Sequence, residues 1–236
     1  MERESFLDNI AARLGRPRIR TAPETSTSGP SQAYLRQPLG SSAGAVERIE
    51  RFCMEIERVG GKMVTASSLA EVHLSLRAEL AFWSAERIVS WAAGEFDGWE
   101  LEPFFLESAC LSFSPEQTDF RARAFKAHVG ITTVDHAVVN TGTLALSTGP
   151  GRPRSVSLLP SVHLALVRES QLVDRIGIAF EAYSGSGHGP PSAVHFITGP
   201  SRTSDIENDL TIGVHGPAAV SVIVWRDRPP VLGPVA

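Results

Sequence analysis

The second half of the chain is built from short runs that are apolar on both sides, and this restricts the fold more than any other feature. Val129–Thr132, Thr143–Thr148, Ser155–Leu159, Leu164–Val167, Val194–Thr198 and Val220–Trp225 are six β-prone stretches, several with no polar alternation. A strand with one solvated face alternates apolar and polar side chains. A strand apolar throughout needs cover on both faces, as in a sheet with helices packed on each side. The first half supplies such helices. Val46, Ile49, Phe52, Cys53, Ile56 and Val59 share one face of a helix over 45–59, with Glu47, Arg48, Glu50 and Arg51 elsewhere, and Gly60-Gly61 stops it. Lys62–Thr65 reads as a short strand. Ser68 and Glu71 stand at capping-box spacing at the head of a helix that carries Leu69, Val72, Leu76 and Leu80. Arg87–Trp91 is a short buried strand, and Gln171–Tyr183 a later helix with Leu172, Ile176, Ala179 and Phe180 on one side. This alternation predicts an α/β fold. Between 92 and 117, Gly94, Gly98, Pro103 and Pro115 interrupt every period, so only a connection with one short element is expected there.

The ends read differently. Phe6, Leu7, Ile10, Ala11 and Leu14 have helical spacing, so 1–15 is expected to be an N-terminal helix. Residues 16–44 are rich in Pro, Ser, Thr and Gly and read as a flexible linker, leaving 45–236 as the α/β domain. Gly185–Pro191 reads as a mobile loop and Arg226–Ala236 as an irregular tail. With 42% hydrophobic and 20% charged residues the chain is not a wholly disordered one. A net charge of -4 argues against a nucleic-acid binder. Two cysteines, Cys53 and Cys110, cannot ligate a four-cysteine cluster or zinc site and suit a reducing cytoplasm. No apolar run is long enough for a membrane span, and the charged N-terminus does not read as a secretory signal.

Four loops carry residues suited to chemistry. Asn140-Thr141-Gly142-Thr143 places hydroxyls around a glycine; its backbone N–H groups form either a nest for an anion or a simple tight turn. Leu159-Pro160-Ser161-Val162-His163 brings a histidine that acts as acid, base or hydrogen-bonded structural residue. His136 and His195 are read the same way, and no histidine spacing marks a metal site. Thr198-Gly199-Pro200-Ser201-Arg202-Thr203-Ser204-Asp205-Ile206-Glu207 turns out of a strand into an expected helix start. There Ser204 and Glu207 fit a capping box, and Ser201, Arg202 and Thr203 could hold an anion unless Asp205 and Glu207 oppose it. Gly213-Val214-His215-Gly216-Pro217 is a glycine-rich turn around a histidine. Neither GxxxxGK[ST] nor GxGxxG occurs, and the GxSxG match at Gly40–Gly44 lacks a preceding strand.

These loops in this order, with Gly130-Ile131-Thr132 ahead of them, resemble the LUD-domain (lactate utilisation) family, and within it the stand-alone C-subunit branch, from about Val46 to Trp225. The resemblance implies a three-layer α/β/α sandwich similar to the NagB/RpiA/CoA-transferase group. It also implies that the chain acts with two iron–sulfur partner subunits in oxidising L-lactate to pyruvate. The clusters would reside in those partners, with no cofactor in this chain. Where the family usually has an acidic residue before Thr-Gly-Thr, this chain has Asn140, which can orient a ligand but cannot take a proton at neutral pH.

Three functions follow from these readings. One is an accessory subunit of lactate oxidation that binds a small anionic carboxylate or assembles the complex. A second is a free-standing enzyme acting on a sugar phosphate or acyl-CoA, with Glu207, Asp205 or His215 as acid or base. A third is a binding module whose N-terminal helix docks on a partner. In the first two, Asn140, Thr141, Gly142, Thr143, His163, Gly199, Ser201, Arg202, Thr203 and His215 are expected around one pocket, with Asp205 and Glu207 holding the loop.

Overall fold

The computed structural model describes residues 3–13, 15, 44–108, 110–185, 191–204 and 210–227. Met1–Tyr34 and Leu35–Ala236 form two compact units. In the first, helix α1 spans Arg3–Arg13, with Glu4 in its first turn and Arg13 in its last, each matched to the helix dipole.

The second unit follows the order α2 (Ala45–Arg58), β1 (Lys62–Ala66), α3 (Leu69–Phe82), β2 (Ile88–Ser90), α4 (Glu102–Glu107), β3 (Leu111–Ser112), α5 (Phe120–Phe125) and β4 (Val129–Thr133). It continues through β5 (His136–Val138), β6 (Thr143–Ser147), α6 (Ser155–Leu158), β7 (Val162–Arg168), β8 (Leu172–Val173), α7 (Ile176–Gly185), β9 (Val194–Ile197), β10 (Arg202–Ser204), β11 (Leu210–Ile212) and β12 (Ala219–Trp225). The main sheet has six strands in the order β1-β12-β7-β4-β2-β3. Every pairing in it is parallel. The last strand of the chain thus lies between the first strand and β7.

Both faces of this sheet are covered. His163 pairs with Gly130 and Val220, so these three residues share a face, and Ser221 turns to the other. On the Ser221 side, Glu79 of α3 accepts from Ser221 Oγ at 2.7 Å and pairs with Lys62 Nζ at 2.7 Å. On the His163 side α6 presses on the sheet: a Cβ at Gly130 would stand 1.9 Å from the Val156 carbonyl oxygen. Ile131, Leu164, Leu166 and Ile223 are fully buried between the layers. Each such side chain contributes roughly 1.5–3 kcal/mol relative to exposure. The α/β sheet covered by helices that the alternation predicts, and the sandwich that the family resemblance implies, are the architecture found.

The N-cap of α3 forms as expected, with Ser68 Oγ accepting from Glu71 N at 3.2 Å. Other expectations are corrected. Ser155–Leu159 is not a strand: Val156 N donates to Pro153 O at 3.3 Å, Leu158 N donates to Arg154 O at 3.1 Å, and α6 results. The runs at 143–148 and 194–198 belong to a second, four-stranded sheet, β8-β5-β6-β9. Leu172–Val173 is strand β8, so the later helix starts at Ile176. The 92–117 connection holds a 3₁₀ turn at Ala93–Phe96 together with α4 and β3. Arg202–Ser204 pairs antiparallel with Leu210–Ile212 as a short strand, and the helix start expected after Ser204 falls on 205–209, outside the described residues. Thr203, Thr211 and Ile212 are β-branched and favour that pairing. Asp205 and Glu207 lie outside the described residues, as do 16–43, 186–190 and 228–236.

Candidate functional site

In a sheet with all strands parallel, every strand starts at one edge and finishes at the other. Lys62, Ile88, Leu111, Val129, Val162 and Ala219 mark the amino edge; Ala66, Ser90, Ser112, Thr133, Arg168 and Trp225 mark the carboxyl edge. Ligands of open α/β sheets bind beyond the carboxyl ends.

Most of the sequence-predicted residues gather at the amino edge, around the last turn of α2. The Thr141–Thr143 turn joins β5 to β6, and its hydroxyls form a chain: Thr141 Oγ1 to Thr143 Oγ1 at 2.8 Å, and Thr143 Oγ1 to Thr198 Oγ1 at 2.8 Å. Gly142 has φ +62°, and a Cβ there would meet the Glu55 and Ile56 backbone of α2 at 2.8 Å. Gly199, φ +77°, sits equally close to the Val59 carbonyl, at 2.5 Å from such a Cβ. Arg202 Nη2 donates to that same carbonyl at 2.8 Å, where its charge complements the negative end of the helix. Ser201 is bound to the 213–217 turn through Gly213 N to Ser201 O at 3.0 Å and Ser201 N to Pro217 O at 2.9 Å. His215 is exposed in that turn. Thr203 lies in β10 beside Arg202. Thr143 and Arg202 therefore stand on one flank of the domain, with the end of α2 between them.

Two predicted residues stand apart in character. His163 is fully buried on β7. Its Nε2 bonds with Thr132 Oγ1 at 2.8 Å, its Nδ1 has no partner among the described residues, and burial pulls its pKa down to about 4. Asn140 follows β5; its backbone N donates to Asp174 O at 3.4 Å, and its buried Oδ1 likewise has no partner among the described residues.

The carboxyl edge carries a polar cluster that the sequence reading did not single out. Arg152 lies between two carboxylates, Nε to Glu95 Oε2 at 2.5 Å and Nη1 to Asp135 Oδ1 at 2.6 Å. Its guanidinium also lies over the Trp91 ring, 5.2 Å from the centroid. Asp135, directly after β4, accepts on Oδ2 from Ser147 N at 2.5 Å and from Tyr183 Oη at 2.9 Å. The His136 ring meets Tyr183 edge-on at 5.9 Å. Burial would pull the Arg152 pKa down, but the hydrogen bonds and charges of Glu95 and Asp135 outweigh it and leave it raised. Burial, then the Asp135 charge and hydrogen bond, push the Tyr183 phenol up, so it stays a neutral donor. Burial lowers His136 against the opposing pull of Asp135, and lowers His195 with help from the charge of Arg154. Such a cluster offers fixed donors and acceptors with a net negative charge, because two carboxylates face one guanidinium. The signal that marks it in the sequence is an ionisable pair, Asp135-His136, immediately after a buried strand.

Among the described residues no helix is long and apolar enough to cross a membrane, and no group of three or more His, Cys, Asp or Glu is placed to hold a metal ion. "Lactate utilization protein C" of Halalkalibacterium halodurans is 33% identical over 234 residues, which cover 96% of this chain and 98% of that protein. The protein of the same name from an Exiguobacterium species is 33% identical over 242 residues, covering 95% and 96%. The crystal structure of a DUF162 family protein from Deinococcus radiodurans shares the fold, with a TM-score of 0.58 at 24% identity over 78% of this chain and 99% of that one. The LUD domain model matches residues 41–225, which spans all three described sheets and every helix from α2 to α7, and the chain therefore belongs to the LUD domain family.

Proposed function

We propose that this protein serves lactate utilisation as an accessory subunit, acting in the cytoplasm beside iron–sulfur partners that oxidise L-lactate to pyruvate. Its likeness from end to end to proteins named for lactate utilisation carries this reading. The chemistry of the chain supports the division of labour. Oxidising a 2-hydroxy acid removes two electrons and two protons, so an electron acceptor is required. This chain has two cysteines, both free, against the four thiolates of a common cluster, and burial pushes the Cys110 thiol up to about 12. A low-pKa thiolate is what a cluster ligand needs, and Cys110 is the opposite. Clusters and electron transfer are therefore assigned to the partners. The subunit's own part is to bind a small carboxylate or to hold the assembly together, with the hydroxyl turn at Thr141–Thr143 and Arg202 as its contact residues.

Deleting the gene in its host is expected to abolish growth on L-lactate as sole carbon source and to spare growth on pyruvate. Affinity capture of the full chain should bring down proteins containing iron and acid-labile sulfide. Undiminished growth on L-lactate would overturn the assignment.

A further inference from the structure

Helix α1 has 11 residues, fewer than a helix needs to persist alone in water, so it must bury a face. Phe6 and Ile10 stand four residues apart and lie one above the other on that helix. They are 50% and 40% exposed, whereas Leu7 and Ala11 are half-buried. A lone exposed apolar side chain, such as Leu106 on α4, is ordinary for a folded surface. An aromatic and a branched aliphatic side chain on one stripe of a helix this short are not. Within α1, Arg3 and Arg13 balance Glu4 and Asp8, so the helix offers apolar contact rather than an ionic patch.

A second, independent observation concerns which proteins share this segment. The LUD domain model begins at residue 41, so α1 lies wholly ahead of the matched domain. The Deinococcus radiodurans protein is matched over 99% of its own length by 78% of this chain, so its fold stands without about a fifth of the residues here. The two proteins named for lactate utilisation are matched by 96% and 95% of this chain, which leaves too few residues outside the match to hold everything ahead of residue 41. Most of that leading segment is therefore shared with the lactate-utilisation relatives, and the fold does not require it. Residues 16–43 carry enough chain for roughly 90–100 Å at full extension, ample to reach a second protein.

We propose that α1 is the docking element for the partner subunit. Its Phe6–Ile10 stripe seats in an apolar groove on an iron–sulfur protein, as an amphipathic helix is laid into a groove. This rests on the accessory-subunit reading. It gives the holding of the assembly to α1 and leaves the Thr141–Thr143 turn and Arg202 to the small carboxylate.

The test captures partners on full-length chains tagged at the carboxyl end, in the host grown on L-lactate, and identifies them by their iron and acid-labile sulfide. Phe6→Ser/Ile10→Ser is compared with the parent and with Leu106→Ser, at a position 84% exposed on α4. Each anchor removed should weaken the contact roughly tenfold, so the double variant should keep about a hundredth of the parent's affinity. Leu106→Ser should capture as the parent does, and the thermal midpoint of the double variant should equal the parent's. A synthetic peptide of residues 1–15 in excess should release the captured proteins, and the same peptide with both serines should not. Capture by the double variant equal to the parent's overturns the docking and leaves the accessory reading standing. A lowered midpoint with capture intact also overturns it, because α1 then covers its own chain. If the parent captures no iron–sulfur protein, the accessory reading falls and the docking with it.

Discussion

His163 has one ring nitrogen bonded to Thr132 and the other without a partner among the described residues, and the ring is fully buried. In the unfolded chain this ring takes up a proton as pH falls through 6.5; in the fold it resists until about 4, because burial penalises the charged form. Within that window the unfolded state binds the extra proton, so stability falls as pH falls. The loss across the window is on the order of 3 kcal/mol. His163→Gln keeps a polar group beside Thr132 and cannot titrate. Urea unfolding from neutral pH down to about pH 4 should show a shallower decline for the variant than for the parent. His136 and His195, also lowered by burial, add to the decline in both proteins, so the difference between the two isolates His163. Equal slopes would mean that the ring is protonated, or reached by water, in the fold.

At the scale of elements, the Thr141–Thr143 turn and α2 meet backbone to backbone through Gly142. A methyl group there would combine an unfavourable positive φ with a 2.8 Å approach to helix backbone, which cannot yield as a side-chain tip can. Gly142→Ala is expected to cost about 2–4 kcal/mol by chemical denaturation, the sum of an overpacked contact and a strained φ. A cost below the scatter of surface substitutions would show that the hairpin can lift off the helix. Glycine at this turn was visible in the sequence; what it faced was not, because the partner is an α2 backbone more than eighty residues earlier. The same limit explains the rest. α2 and α3 were legible because their periodicity and stop signals are local. How the β-prone runs divide between two sheets was not, since a doubly apolar strand looks alike in either. Ser155–Leu159 imitates a strand by alternating hydroxyl and aliphatic residues, and only the preceding proline hints at a helical turn. Glu95, Arg152, Asp135 and Tyr183 come from separate segments and become neighbours only in the fold, with Arg152 joining Glu95 to Asp135 and Asp135 reaching Tyr183.

At the scale of the whole domain, the six-stranded sheet brings together segments from distant parts of the chain. Glu79 ties α3 to β1 and β12 at once, through Lys62 and Ser221. A chain ending before Ala219 loses that joint and the pairings on either side of β12. Such a truncation should give no cooperative thermal transition and should expose apolar surface to a hydrophobic dye; a normal transition would show that β1 can close directly on β7. The position of β12 also has a bearing on how the protein is made. A ribosome delivers β1 well before β12, its one hydrogen-bonded neighbour among the described residues, so the first strand emerges with nothing to zip against until β12 follows. Until β12 has emerged, that edge of β1 stays open to wrong partners, so closing the sheet is a late step in the folding of this domain.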